Sequence, residues 1–308
     1  MMKLNNLRYG PIAEKVIRAM HKENRKKVID FKVWKIAKDY QSKLQKEREN
    51  KDFSHLDPLH AIYTDTQHRI SEFIEQFSML PESDALNLRH LQAEDIYLPS
   101  GPPMSPLTPS YFFCWSAFDM NVGIKRETYT TIMIEICKAL GADPNFVKLV
   151  RSMQGSRMGL YVHQKQDGKF VYLKELYTNR LIKVRSTSQY YGTPDEIWLV
   201  RLLSDPFGYV DYSITFTTPY VIIKGSPEMK TFILNSFYAE EEWLEFIERN
   251  LARIKVKDPN AAYDHFMKYG LSKHYWPEYV FQAYVNHQGN VIWLTGFPDR
   301  AETLPHSS

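Results

Sequence analysis

Cysteine is scarce in this chain: its 308 residues include only Cys114 and Cys137, and both lie in apolar stretches. Secreted frameworks use more cysteines at patterned spacings, so this pair is typical of free, buried thiols in a reducing compartment. Long apolar runs are missing as well, since none approaches the roughly 18 residues that span a bilayer. The first fifteen residues lack a continuous apolar core, so we expect no secretion signal. These absences predict a soluble, cytoplasmic protein with no membrane contact.

The sequence also lacks the motifs of a metal or cofactor site. Its 10 histidines match neither HExxH nor a paired Cys/His zinc spacing, so we expect no bound metal and no cofactor. Residues 155–159 match neither a Walker loop nor a dinucleotide fingerprint. Their glycines could bring N–H groups to an anion beside Arg157. The simpler interpretation is that Gly155 caps a helix in the left-handed conformation and Gly159 begins the sheet.

Positive charge, in contrast, is plentiful at one end. Residues 1–52 contain 15 Lys/Arg and 7 Asp/Glu, a net charge of +8, whereas the whole chain carries +3. Such asymmetry is typical of a protein with a polyanionic partner. Apolar residues recur at helical spacing in this segment, which predicts a basic helix over residues 11–50. The cations expected to contact phosphates are Lys22, Arg25, Lys26, Lys32 and Lys35.

Hydrophobic periodicity and turn signals together predict an α+β fold. A second amphipathic stripe over residues 59–79 predicts a helical hairpin with the basic helix. Five prolines between positions 99 and 109 predict an extended connector, with a PxxP ligand as the alternative. The predicted segments are a basic helical hairpin (1–80), a Pro-rich connector (81–110), a helical segment (111–157), an antiparallel β unit (158–223) and a helical C-terminal region (224–308).

The last two segments can be divided further. In the C-terminal region we expect helices at 226–254, 258–269 and 276–287, followed by a short strand at 291–295. In the β unit the period changes to that of strands, separated by Gly, Asn and Asp turn signals. The predicted strands are 158–164, 169–176, 180–187, 196–203 and 209–217. Five short strands so close in sequence favour a small antiparallel barrel or a strongly curled sheet.

Aromatic and basic residues are interleaved in the β unit. The set comprises Tyr172, Tyr177, Tyr190, Tyr191, Trp198, Arg180, Lys183, Arg185 and Arg201. Small barrels hold single strands by stacking bases on aromatic rings beside a basic groove, so Arg180, Arg185 and Tyr191 are candidate nucleic-acid contacts. Strand alternation also directs about half of such side chains inward, where they would only pack.

Residues 169–203 carry one further pattern: an acidic residue and Leu, a Thr-containing turn, a Val-rich strand, a Ser, and a turn into a strand with Arg. The matching positions are Glu175-Leu176, Thr178, Val184, Ser188, Asp195 and Arg201. This segment resembles a small β module of uncharacterised bacterial proteins, some of which carry an SEC-C metal-binding tail. Asn179 stands where that module has Gly, Pro194-Asp195-Glu196 replaces its Pro-Gly-Asp turn, and the cysteine-rich tail is absent. The resemblance implies a compact β unit and no activity.

These patterns lead to three hypotheses of function. The first is a non-catalytic module that binds nucleic acid or another anionic partner through the basic helix. The second is a protein-interaction or homo-oligomerisation protein, in which the apolar stripe of residues 29–44 pairs with a partner and the lysines, many beside Asp or Glu at helical spacing, only keep the helix soluble. The third is a hydrolase in which Arg157, His163 and Asp211 converge, with Asp211 orienting His163 across the sheet.

Overall fold

The computed structural model describes residues 9–26, 56–97, 109–224, 239–270, 281–287 and 290–296. These residues form eight α-helices and eight β-strands, so the prediction of an α+β fold is confirmed. The chain divides into two compact units. One comprises residues 1–92 and 116–154, and the other comprises residues 93–115 and 155–308.

Among the described residues, six α-helices precede the sheet, and side-chain caps mark the starts of two of them. They are α1 (Pro11–Lys26), α2 (Pro58–Phe77), α3 (Asp84–Tyr97), α4 (Pro109–Phe118), α5 (Tyr129–Ala139) and α6 (Pro144–Gly155). Asp57 caps α2 by accepting from the N–H groups of Leu59 and His60, with Pro58 at the first helical position. Thr128 caps α5 in the same manner.

A distant carboxylate holds the N-terminus of α1 within the first unit. The carboxylate of Glu127 accepts from the backbone N–H groups of Ile12 and Ala13, each at 3.0 Å. A side chain at Gly10 would overlap this carboxylate, so the glycine permits the close approach. The described part of the predicted basic helix is α1; residues 27–55, with Lys32 and Lys35, lie outside the described residues, as do the side chains of Lys22, Arg25 and Lys26.

The predicted connector over residues 81–110 is wrong in its first half. The chain forms a short 3₁₀ turn over Pro81–Ser83 and then α3. Leu86 and Ala93 are buried from one face of this helix. The five prolines begin only at residue 99 and impose no extended backbone on α3. Residues 98–108 lie outside the described residues.

The β unit is a closed barrel with additional strands. The strands are β1 (Met158–Asp167), β2 (Phe170–Glu175), β3 (Leu181–Arg185), β4 (Ile197–Ser204), β5 (Ser213–Thr215), β6 (Tyr220–Lys224), β7 (Phe281–His287) and β8 (Ile292–Gly296). The order β1-β2-β3-β5-β4 closes because β4 also pairs with β1. The barrel is therefore confirmed, but it is not wholly antiparallel, since β3 and β5 pair in parallel. β6 extends the sheet from β4, followed by β8 and then β7.

The C-terminal region is only partly helical. Helix α7 (Glu240–Leu251) lies within the predicted helix at 226–254, of which residues 226–238 lie outside the described residues. Helix α8 (Pro259–Tyr269) matches the predicted helix at 258–269, and the side chain of Asp258 caps it. The predicted helix at residues 276–287 is wrong, because β7 occupies Phe281–His287 and pairs antiparallel with β8. Short apolar segments satisfy both periods, and the adjacent strand decides the outcome.

Most residues of α4 are buried. Tyr111 of α4 stacks on Tyr220 with 4.0 Å between ring centroids, and its hydroxyl lies within hydrogen-bond distance of the carbonyl oxygens of Leu199 and Thr218. Burial raises the pKa of Tyr111 well above its ordinary value, so the hydroxyl stays protonated and can donate. No helix among the described residues has the length and apolarity to cross a membrane.

Candidate nucleic-acid interface

Strand alternation sorts β2 and β3 into a buried side and an outward side. Val171 and Leu173 of β2 are fully buried, whereas Phe170 and Tyr172, which alternate with them, are only half-buried. On β3, Val184 is fully buried and the residues on either side of it are not. The outward residues therefore form a continuous surface over these two strands.

Cross-strand register on this surface places each aromatic residue opposite a cation. Phe170 pairs with Arg185, and Tyr172 pairs with Lys183. The ammonium of Lys183 lies 4.4 Å from the ring centroid of Phe170, and that of Lys165 lies 4.7 Å from the ring centroid of Tyr172. Both distances are within the range of a cation–π interaction.

The β4–β5 loop adds another aromatic ring. Tyr212, immediately before β5, lies 5.2 Å from Phe170 between ring centroids. We call the six residues of this surface the aromatic–cationic face. They are Lys165, Phe170, Tyr172, Lys183, Arg185 and Tyr212.

Asp205 shapes the rest of the β4–β5 loop. Its carboxylate accepts hydrogen bonds from the backbone N–H groups of Phe207 at 2.7 Å and Val210 at 3.1 Å. Partial burial of Asp205 works against ionisation, but these N–H donors outweigh it and hold the pKa of the carboxyl below its ordinary value. The ordered loop presents Tyr209, which is 85 % exposed, with its ring stacked on that of Phe207.

An acidic residue at the end of the same loop contacts the face. Lys183 donates to both carboxylate oxygens of Asp211 at 3.1 Å. The side chain of Asp211 is 78 % exposed, so this ion pair lies at the surface and is screened by water and salt.

Other aromatic members of the interleaved set are buried or partly buried and have structural contacts instead. Trp198 is fully buried and donates its indole N–H to Glu196 at 2.8 Å. Tyr190 donates its hydroxyl to the same carboxylate at 2.9 Å, and burial together with the charge of Glu196 raises the pKa of Tyr190. Tyr191 packs against the barrel core. Trp198, Tyr190 and Tyr191 therefore do not form a stacking surface.

The cations of the interleaved set also differ in burial and in position. Arg201 is buried and donates to the carbonyl oxygen of Ser156 at 2.8 Å. Arg180 is 67 % exposed and forms an ion pair of 3.9 Å with Glu175. Only Lys183 and Arg185 lie on the aromatic–cationic face.

Arg157 lies at the centre of a cluster that joins the barrel to α8, in which Glu175 is buried and Asp264 is 64 % exposed. Its guanidinium contacts Glu175 at 2.9 Å and Asp264 at 2.7 Å, and it lies 4.7 Å above the ring of Tyr263. Burial alone would lower the pKa of Arg157, but Tyr161 and the two carboxylates raise it, so the cation is retained. The arrangement is that of a structural cross-link.

The three residues of the hydrolase hypothesis have separate partners. His163 is fully buried, and its Nε2 lies 2.8 Å from the carbonyl oxygen of Tyr191. Its Nδ1 has no hydrogen-bond partner among the described residues, so the predicted contact with Asp211 is not formed. Asp211 pairs with Lys183, and Arg157 pairs with Glu175 and Asp264. A catalytic arrangement of these three residues is not assembled.

Residues 155–159 follow the simpler interpretation in part, but Gly155 does not adopt the left-handed conformation predicted for a cap. Gly155 is the last residue of α6, and Gly159 lies in β1, where a side chain would overlap the ring of Tyr161. The carbonyl oxygen of Ser156 accepts from Lys268 at 2.8 Å as well as from Arg201. Among the described residues, no group of three His, Cys, Asp or Glu side chains could hold a metal ion.

Comparisons with family models, curated proteins and solved structures find no match to this chain. The resemblance of residues 169–203 to a small bacterial β module thus stays a prediction. Two of its positions have a clear backbone role, because Asn179 and Asp195, which stand in place of glycines, have φ of 56° and 72°. Asn and Asp tolerate this left-handed conformation better than other non-glycine residues.

Proposed function

We propose that this chain is a non-catalytic module that binds single-stranded nucleic acid on the aromatic–cationic face. The observation that supports the proposal is the cross-strand pairing of Phe170 with Arg185 and of Tyr172 with Lys183. Aromatic rings stack on bases of any sequence, and neighbouring cations neutralise the phosphates of the same strand. The face provides both kinds of group in alternation.

The spacing on β2 suits successive unpaired bases. Phe170 and Tyr172 are two residues apart on one strand, which separates their side chains by about 7 Å. This separation leaves room for two bases that are splayed rather than stacked on each other. Duplex bases expose only their edges in the grooves, so the rings favour a single strand.

Strand order provides a second, weaker support. Five-stranded Greek-key barrels of the OB type bind oligonucleotides over strands 2 and 3 and the loops between strands 1 and 2 and strands 4 and 5. The aromatic–cationic face and the loop with Tyr209 occupy the corresponding places in this barrel. The shared strand order suggests where on the barrel a ligand would lie.

Fluorescence anisotropy with labelled 12-nucleotide single strands and duplexes of DNA and RNA tests the proposal. We expect single strands to bind, and the double variant Phe170→Ala/Tyr172→Ala to weaken binding by about 1–3 kcal/mol for each base that loses its ring. The matched control is Leu181→Ala, which removes an exposed apolar side chain from the same strand pair. Equal affinity of wild type and the double variant would contradict the proposal.

Salt dependence gives an independent readout. Three cations on the face predict a slope of log affinity against log salt of about −2 for a single strand. Arg185→Gln should reduce the magnitude of this slope by about 0.7, whereas Phe170→Ala should leave it unchanged. A slope that Arg185→Gln does not alter would place the phosphates elsewhere.

The basic N-terminal segment remains a separate predicted contact with a polyanion. Its test is the reversal to Glu of four cations among Lys22, Arg25, Lys26, Lys32 and Lys35 in the full chain. Loss of binding in this variant, together with unchanged binding in Phe170→Ala/Tyr172→Ala, would move the interface to that segment. The oligomerisation alternative depends on residues 29–44, which lie outside the described residues, and stays a prediction.

A further inference from the structure

The lysines of the aromatic–cationic face cover the ring surfaces that a base would need. The ammonium of Lys183 lies over Phe170, and that of Lys165 lies over Tyr172. One face of a ring accommodates either an ammonium or a base, but not both. Stacking at Phe170 therefore requires Lys183 to move.

Phe170 is enclosed more tightly than Tyr172. Tyr212 packs against the ring of Phe170, so Lys183 and Tyr212 together limit access to it. Asp211 holds Lys183 by two contacts of 3.1 Å. Lys165 forms no ion pair with a carboxylate of the described residues, and its recorded side-chain contact among them is with the ring of Tyr172.

We propose that Asp211 restrains ligand binding at this face by holding Lys183 over Phe170. In the bound form, Lys183 leaves Asp211 for a phosphate of the ligand, and an unpaired base takes its place on Phe170. The inference rests on the proposed function and narrows the ligand to a strand with an unpaired base next to a phosphate. Tyr172, with its unrestrained lysine, is the first ring to be occupied.

The test compares two substitutions that remove the same charge. Asp211→Asn removes the restraint, whereas Asp167→Asn removes an exposed carboxylate at the end of β1 and leaves Lys183 paired. Binding of a fluorescein-labelled 12-nucleotide single strand is measured by anisotropy for the full chain and both variants. We expect Asp211→Asn to raise the affinity about two- to fivefold, the range of an exposed ion pair, and Asp167→Asn to raise it clearly less.

A double-mutant cycle makes the test specific to Lys183. In the background of Lys183→Met no ammonium covers Phe170, so Asp211→Asn should no longer raise the affinity beyond the effect of Asp167→Asn. Thermal melts followed by circular dichroism confirm that each variant is folded.

The outcomes separate the two proposals. Equal gains for Asp211→Asn and Asp167→Asn, or weaker binding of Asp211→Asn than of wild type, would overturn the restraint while the proposed function stands. The same gain with a blunt duplex would overturn the exchange of Lys183 for a base. Binding by neither wild type nor Asp211→Asn would overturn both. Binding by Asp211→Asn alone would support the restraint in its strongest form.

Discussion

Ion pairs and cation–ring contacts occur both around the buried carboxylate of Glu175 and on the outward aromatic–cationic face, but they differ in how easily a ligand could replace them. In the Arg157 cluster, the guanidinium contacts two carboxylates and a tyrosine ring, and the carboxylate of Glu175 is 1 % exposed. On the aromatic–cationic face, Lys183 contacts one ring and one exposed carboxylate. Where water is excluded, each charge has several partners and the cost of losing one is high. Where water is present, contacts are few and weak, so a ligand can replace them.

The largest effect should come from breaking the buried pair. Arg157→Met leaves the carboxylate of Glu175 buried without its main cation, so we expect the free energy of unfolding to fall by about 3–5 kcal/mol. Urea denaturation followed by circular dichroism measures this change. The double variant Arg157→Met/Glu175→Gln removes both charges and should recover most of the loss. A loss below about 1 kcal/mol for Arg157→Met would show that the cluster is no more than a surface pair.

Substitution of a buried carboxylate that has neutral partners should lower the free energy of unfolding by a smaller amount. Glu196 is 2 % exposed and accepts from the hydroxyls of Tyr190 and Thr193 and from the indole of Trp198. Glu196→Gln replaces one acceptor oxygen by a donor, which leaves at least one of these groups without an acceptor and should cost about 1–3 kcal/mol.

The control for this prediction is an exposed glutamate. Glu245→Gln on α7 changes the same groups at the surface and should alter the free energy of unfolding by no more than about 0.5 kcal/mol. Equal urea midpoints for the two variants would mean that the hydrogen bonds of Glu196 do not contribute to stability.

The smallest effect concerns the loop beside the face. Because the pKa of Asp205 is lowered in the folded protein, its hydrogen bonds to the loop stabilise the fold above the ordinary Asp pKa of about 3.9 and are lost as the pH falls through the lowered value. The amide resonances of Phe207 and Val210 should therefore titrate with a midpoint below about 3.9. Asp205→Asn should abolish this titration, and its persistence in the variant would assign it to another group.

Local signals in the sequence were sufficient for several elements and insufficient for others. Asp57 and Asp258 mark the starts of α2 and α8, because side-chain capping acts over three residues. The sequence of β7 predicted a helix because its local pattern does not reveal the pairing with β8. That pairing is set by the tertiary structure. Strand β6 was missed, since residues 220–224 are almost continuously apolar and show no alternation.

The sequence predicted the kind of surface that forms the candidate site, but not all of the residues in it. Interleaved aromatic and basic residues indicated a stacking surface and included Tyr172, Lys183 and Arg185. Alternation could not exclude Trp198, because consecutive residues of β4 from Ile197 to Arg201 are all buried. Phe170 could have been added from its two-residue spacing to Tyr172. Tyr212 could not, since its contact with Phe170 depends on the β4–β5 loop.

The parallel pairing of β6 with β8 has a consequence for the order of folding during synthesis. Tyr220 pairs with Ile292, so a long connection that includes α7 and α8 must close before these strands meet. The five barrel strands lie within residues 158–215 and can pair as soon as that stretch leaves the ribosome. Until β8 emerges, the outer edge of β6 stays open to other chains. Nascent protein is therefore most prone to aggregation in this interval, and a chaperone that covers an open strand edge would raise its yield.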